Sequence, residues 1–131
     1  MAPSLGIHKV LQSTYEEALL SVPQALKAEG FGVLTEIDIQ STLKSKLGVE
    51  FRRYKILGAC NPPFAHQALL ADLEAGLALP CNVVVYEGDD LKAVVVAVDP
   101  TQTVASLGDS RLIELADQVK VKLISMLSRL K

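Results

Sequence analysis

Two valine-rich runs constrain this chain more than anything else in it. Val83-Val84-Val85-Tyr86 and Ala93-Val94-Val95-Val96-Ala97-Val98 are apolar on successive residues, where a half-buried strand would alternate with period two. Strands of that kind are covered on both faces. Gly88-Asp89-Asp90 between them has turn chemistry, so Asn82 to Glu87 and Leu91 to Asp99 read as the arms of a hairpin. Neither run approaches the roughly 18 apolar residues of a membrane span. Any fold must therefore place an apolar layer on each side of this hairpin.

The length of 131 residues, half of them hydrophobic, suits a single domain over residues 1–131 that needs no disulfide or metal staple. A net charge of −2 argues against a general nucleic-acid binder, which carries a basic excess. Lys44, Lys46, Arg52 and Arg53 form a modest basic patch, but without interleaved stacking aromatics and with Glu50 opposing them. No basic start and long apolar run marks a signal peptide, and two cysteines are too few for a secreted disulfide framework. A cytoplasmic protein with reduced thiols, no nucleic-acid partner and no membrane partner is expected. Between Ala59 and Asp109 the acids Asp72, Glu74, Glu87, Asp89, Asp90, Asp99 and Asp109 face only Lys92, which good capping and turn formation explain.

Local signals then divide the chain. Leu5, Ile7, Val10 and Leu11 mark a first strand with imperfect alternation. Thr14 with Glu17 forms a capping box that opens a helix, and Gly30 stops it. Pro23 lies inside, so the helix either kinks there or restarts through a second box, Ser21 with Gln24. Phe31 to Ile37 reads as a strand, and Asp38 caps a short helix carrying Ile39, Leu43 and Leu47 up to Gly48. Arg52 to Ala59 is the next strand, with Tyr54, Ile56 and Gly58 on one face. Asn61 as N-cap and Pro62 at the first helical position begin a helix to about Ala75, with Phe64, Leu69, Leu70 and Leu73 apolar.

A last helix from Asp109 to about Leu130 carries Leu112, Ala116, Val119, Leu123, Met126 and Leu130 at 4-3-4-3-4 spacing, flanked by Ile113 and Leu127. So wide a stripe either packs within one subunit or meets a second copy. Since twofold dimers are the commonest assembly, a homodimer is expected.

The corner Cys60-Asn61-Pro62-Pro63 is the leading candidate site. A cysteine just before a helix meets the positive end of the dipole, which favours thiolate. The two prolines remove donors, leaving Phe64 as the first N–H able to hold an anion. His66 offers a base for Cys60, or with it half a metal site, though no third partner is evident. Cys81 lies 21 positions from Cys60, which is no C-x-x-C motif. A conventional crossover between their strands would run them parallel and put the thiols at opposite ends of the sheet. Structural roles compete throughout: a small buried thiol, a solvent-facing His66 or His8, and core-filling Tyr54 and Tyr86, whose polar tips otherwise share a pocket. No metal site and no cofactor motif emerges.

Glu29-Gly30-Phe31-Gly32-Val33-Leu34-Thr35-Glu36-Ile37-Asp38-Ile39, Tyr54-Lys55-Ile56-Leu57-Gly58-Ala59-Cys60-Asn61-Pro62 and Leu79-Pro80-Cys81-Asn82-Val83-Val84-Val85-Tyr86 together resemble the bacterial and archaeal domain of unknown function 302 family over about residues 7 to 105. The resemblance implies a compact α/β domain that dimerises. It also implies that Gly30, Gly58, Cys60, Asn61, Pro62 and Pro80 belong to the family pattern. It supplies no activity. The sum is one α/β (α+β) domain, a mixed five-stranded sheet with helices packed on one face and a long C-terminal helix. Its expected role is that of a homodimeric binding or accessory protein. A small-molecule pocket is expected near Cys60, Asn61 and Phe64, with Tyr54 and Tyr86 contributing. Thiol chemistry at Cys60 with His66, a metal-binding role, and a purely structural interaction module are the alternatives.

Overall fold

The structure, a computed structural model, describes residues 4–131. Residues 1–3, weighed above as the start of a leader, lie outside them. In chain order the elements are β1 (Gly6–Thr14), α1 (Tyr15–Ala28), β2 (Gly32–Asp38), α2 (Ile39–Leu47), β3 (Tyr54–Cys60) and α3 (Pro62–Ala71), then a 3-10 segment (Leu73–Ala78), β4 (Cys81–Glu87), β5 (Lys92–Val98), two short 3-10 turns, and α4 (Ser110–Ser128). No helix among the described residues is long and apolar enough to cross a membrane. The five strands form one sheet in the order β1-β5-β4-β3-β2, so the expected hairpin supplies two of the three inner strands.

Local chemistry starts the helices where expected. The Thr14 hydroxyl accepts from the Glu17 N–H at 3.2 Å while the Glu17 carboxylate accepts from the Thr14 N–H at 3.0 Å. Asp38, Asn61 and Asp109 cap α2, α3 and α4 with a side-chain oxygen that accepts from the N–H of Ser41, Phe64 and Arg111, without the reciprocal bond. Pro23 neither breaks nor restarts α1, which runs continuously from Tyr15 to Ala28. The helix expected from Asn61 to Ala75 is interrupted. Asp72 turns to extended backbone and caps the 3-10 segment through the Glu74 N–H. As a result Leu70 and Leu73, expected on a buried face, are 71% and 87% exposed, and α3 buries Phe64 and Ala68 instead.

Every strand pair is antiparallel, which corrects the expected mixed sheet. The segment between β3 and β4 does not cross over. It goes out along α3 and returns through the 3-10 segment and the cis Leu79–Pro80 bond, entering β4 beside the end of β3. Antiparallel ladders need no crossover helix, and the break at Asp72 supplies the return.

Register gives the sheet two distinct faces. Inward, Leu57 stands opposite Val83, Val83 opposite Ala97 and Ala97 opposite Ile7; Val85 stands opposite Val95. Leu57, Val83, Val85, Val95 and Ala97 are wholly buried under the helical layer. That layer supplies Val22 and Leu26 of α1 and Leu112, Val119, Leu123 and Met126 of α4 to one core. The heptad-like stripe of α4 is thus absorbed within the subunit, with Ile113 left 45% exposed outside it. At the far end Lys9 Nζ donates to the carbonyls of Leu127 at 2.9 Å and Leu130 at 2.7 Å, pairing a cation with the negative end of α4.

Gly58 shows how tightly the opposite face is built. A Cβ there would lie 2.3 Å from Thr35 Oγ1 and 2.9 Å from Pro80 Cγ. Gly58→Ala is therefore expected to lower stability by about 1–3 kcal/mol, as overpacking does. Adding Thr35→Ala should recover part of the loss in urea denaturation. Equal midpoints for Gly58→Ala and the unsubstituted protein would show that this contact is not tight.

Candidate functional site

The Cys60–Pro63 corner is built by the end of β3 and the start of α3. Asn61 Oδ1 accepts from the Phe64 N–H at 3.4 Å, and the Asn61 carbonyl accepts from the Ala65 N–H at 2.9 Å. The first donor that the prolines leave is thus taken by the residue's own cap, and no anion cradle remains. A small hollow of about 130 Å³ opens beside the corner instead, lined by Asn61, Pro63, Phe64, Gln118, Val119 and Lys122 among others. Through the shared residues Gln67, Leu115 and Gln118 it runs into a second hollow of about 330 Å³, bounded by Leu70, Arg111 and Glu114. The two make one cleft between α3 and α4. Arg111 Nη2 closes its far end, held by Asp109 Oδ2 at 2.9 Å and donating to the Ala71 carbonyl at 3.3 Å.

The expected thiol constellation does not assemble. His66 is exposed on the face of α3 away from buried Phe64 and Ala68, with no hydrogen bond to Cys60 among the described residues. Because β3 and β4 are antiparallel, Cys60 and Cys81 lie at the same end of the sheet, which corrects the expectation of opposite ends. Cys81 sits opposite Ala59 on the inward face, whereas Cys60, one residue on, points to the other face, and both thiols are free. Burial pushes the Cys81 thiol up to about 11, with Cys60 nearby adding to the shift. It is a core thiol, inert at neutral pH. No group of three or more His, Cys, Asp or Glu converges as metal ligands among the described residues.

Comparison with known proteins fits this topology. The sequence profile of the domain of unknown function DUF302 matches residues 7–130, taking in α4 as well as the sheet. The chain belongs to the DUF302 family. The crystal structure of an uncharacterised conserved DUF302 protein from Bacillus stearothermophilus superposes with a TM-score of 0.91 at 29% identity, covering 98% of this chain and 100% of that one. No curated protein of known role matches.

In this DUF302 protein the tyrosines expected to join the corner lie at the other end of β3. Tyr54 and Tyr86 stand opposite each other and stack at 5.6 Å, with Phe51 tilted against Tyr54 at 6.2 Å and the Arg52 guanidinium 5.9 Å from the Tyr86 ring. Arg52 is itself held by Asp89 at 3.1 Å. The candidate ligand set therefore separates. Asn61 and Phe64 line the cleft; Cys60, Tyr54 and Tyr86 do not. The cleft's remaining polar residues, Gln67, Arg111, Glu114, Gln118 and Lys122, were not singled out from the sequence as site residues. Amide side chains on the flank of an amphipathic helix form no motif.

Two measurements follow from the thiols and from Tyr15. Iodoacetamide at pH 8 should alkylate Cys60 in the native protein and spare Cys81 until urea unfolds it; equal labelling of both would refute the burial of Cys81. Burial, aided by the Asp38 carboxylate, raises Tyr15 to about 12. Both groups hold their protons longer folded than unfolded. Their contribution is full below the unfolded values, about 9 for the thiol and 10 for the phenol, and is lost as pH rises towards 11 and 12. Thermal stability should fall over that alkaline window, and Cys81→Ala should flatten its lower part.

Proposed function

We propose that this DUF302 protein is a cytoplasmic, homodimeric binding or accessory protein that holds a small neutral polar molecule in the cleft between α3 and α4. One observation carries the reading: the amide side chains of Asn61, Gln67 and Gln118 line the same hollow as the apolar Phe64, Leu115 and Val119. Polar and apolar side chains share the lining about equally, and the combined hollow falls at the lower end of the roughly 300–1,000 Å³ that ligand sites occupy. Gln67 and Gln118 each offer both a donor and an acceptor, which suits hydroxyl or amide groups on a ligand, while Asn61 Oδ1 already caps α3. A bare anion is the poorer match: the Phe64 N–H is already used, Arg111 is paired with Asp109, and Glu114 shares the lining with Lys122. The two free thiols agree with a reducing compartment.

Thermal denaturation against pentoses, hexoses, polyols and neutral amino acids at millimolar concentration tests the proposal. A ligand at 100 times its Kd stabilises the folded state by about 2.7 kcal/mol, enough to raise Tm by several degrees. At least one compound should do so, Gln118→Leu should erase the effect, and Cys60→Ser should leave it unchanged. Silence across the whole panel, or a shift that survives Gln118→Leu, would remove the cleft as the binding site.

A further inference from the structure

The face of the sheet turned away from the helices is organised into transverse rows. Ile37, Ile56, Val84, Val96 and His8 stand opposite one another across all five strands. Tyr54, Tyr86, Val94 and Val10 form a second row. Thr35, Gly58 and Asn82 form a third, continued by Val98 and Gly6 on β5 and β1. No Asp, Glu, Lys or Arg stands in these rows, in a chain that is 21% charged. Antiparallel sheets that face water on one side normally turn polar residues outward. Here Val10 is 60% and Ile37 47% exposed, and a mostly apolar hollow of about 210 Å³ lies over Val84, Val96 and Val98.

We infer that this face is where a second copy of the chain docks, an inference that rests on the homodimer proposed above. Size is the first argument. Five strands about 4.8 Å apart and seven residues long at about 3.4 Å each give a face of roughly 600 Å² in plan. Pleating raises its accessible area towards the ~800 Å² per partner of a standard interface. Composition is the second argument. The middle is β-branched and free of formal charge, the polar His8, Thr35 and Asn82 stand at row ends or in the outermost row, and one side carries Phe51, Arg52, Tyr54 and Tyr86, the residue types that anchor interfaces. Shape is the third. A twisted sheet face packs on another like it at a spacing of about 10 Å, and a twofold contact lets one patch serve both partners.

Sedimentation of the full chain at micromolar concentration should give twice the mass of one chain. Val84→Lys, at the centre of the middle row, should raise the dimer Kd at least about 100-fold because it buries an unpaired ammonium. Far-UV circular dichroism should stay unchanged. Val121→Lys, on the 67%-exposed flank of α4, should leave the dimer intact. A dimer that survives Val84→Lys places the contact elsewhere and overturns the inference while the homodimer stands. A single copy for the unsubstituted protein overturns both and leaves the face to a different partner. If Val84→Lys does not fold, isotope-filtered NOEs in a half-labelled dimer decide. Methyl contacts across the subunits from Ile56, Val84 and Val96 support the inference, and a dimer without them refutes it.

Discussion

Burial of the inward valine rows under α1 and α4 is the constraint on which the rest of the molecule depends. Val83, Val85, Val95 and Ala97 have no solvent access, and each interdigitates with helical residues that have none either. Register matters because a slip of one residue would send this whole set to the opposite face. Alternation would normally protect against such a slip by making the two faces chemically different. In this sheet both faces are apolar at the centre, so other features hold the register. The tight packing of Thr35 and Pro80 over Gly58 fixes β2 and β4 against β3, and Lys9 ties β1 to the end of α4.

The one buried carboxylate among the described residues is satisfied locally, whereas the buried Thr103 hydroxyl has no hydrogen-bond partner. Among the described residues Asp99 is the only charged one in the buried class, 7% exposed. Burial disfavours its carboxylate, but the Thr101 hydroxyl and N–H and the Lys120 ammonium at 2.9 Å outweigh that and hold its pKa below the ordinary range. Arg53 does similar work at the surface. It pairs with Glu16 and Glu87 and lies 5.0 Å from the Tyr15 ring, joining the start of α1 to the edges of β3 and β4. These charges fasten elements together. None of them points into the cleft.

What the sequence made legible was local chemistry; what it hid was direction. Capping at Thr14, Asp38, Asn61 and Asp109, the stop at Gly30 and the Gly88–Asp90 hairpin each depend on a few adjacent residues, and each is where expected. The return path between β3 and β4 depends on Asp72 ending a helix whose apolar residues continue to Leu73, and apolar spacing carries no sign of strand direction. That single point decided whether Cys60 and Cys81 were neighbours. The candidate site was half legible for the same reason. Asn61 and Phe64 reach the cleft because they are sequence-local to the corner, while Gln67, Leu115 and Gln118 join it only through the packing of α3 on α4.

The apolar character of both strand faces, the first thing the sequence displays, bears directly on how the two proposed surfaces relate. The cleft lies in the helical layer and the apolar rows lie on the far side of the sheet. In a dimer joined through those rows the layers run helix, sheet, sheet, helix at about 10 Å each, so the two clefts face outward roughly 30 Å apart. Neither cleft then borrows a residue from the other subunit, and dimerisation leaves both open to solvent. Any coupling between them would have to pass through the packed sheets, whose side chains are already held on both sides. Joined in that way, two copies would carry independent, equivalent sites, and the proposed dimer would cover the sheet without completing either cleft.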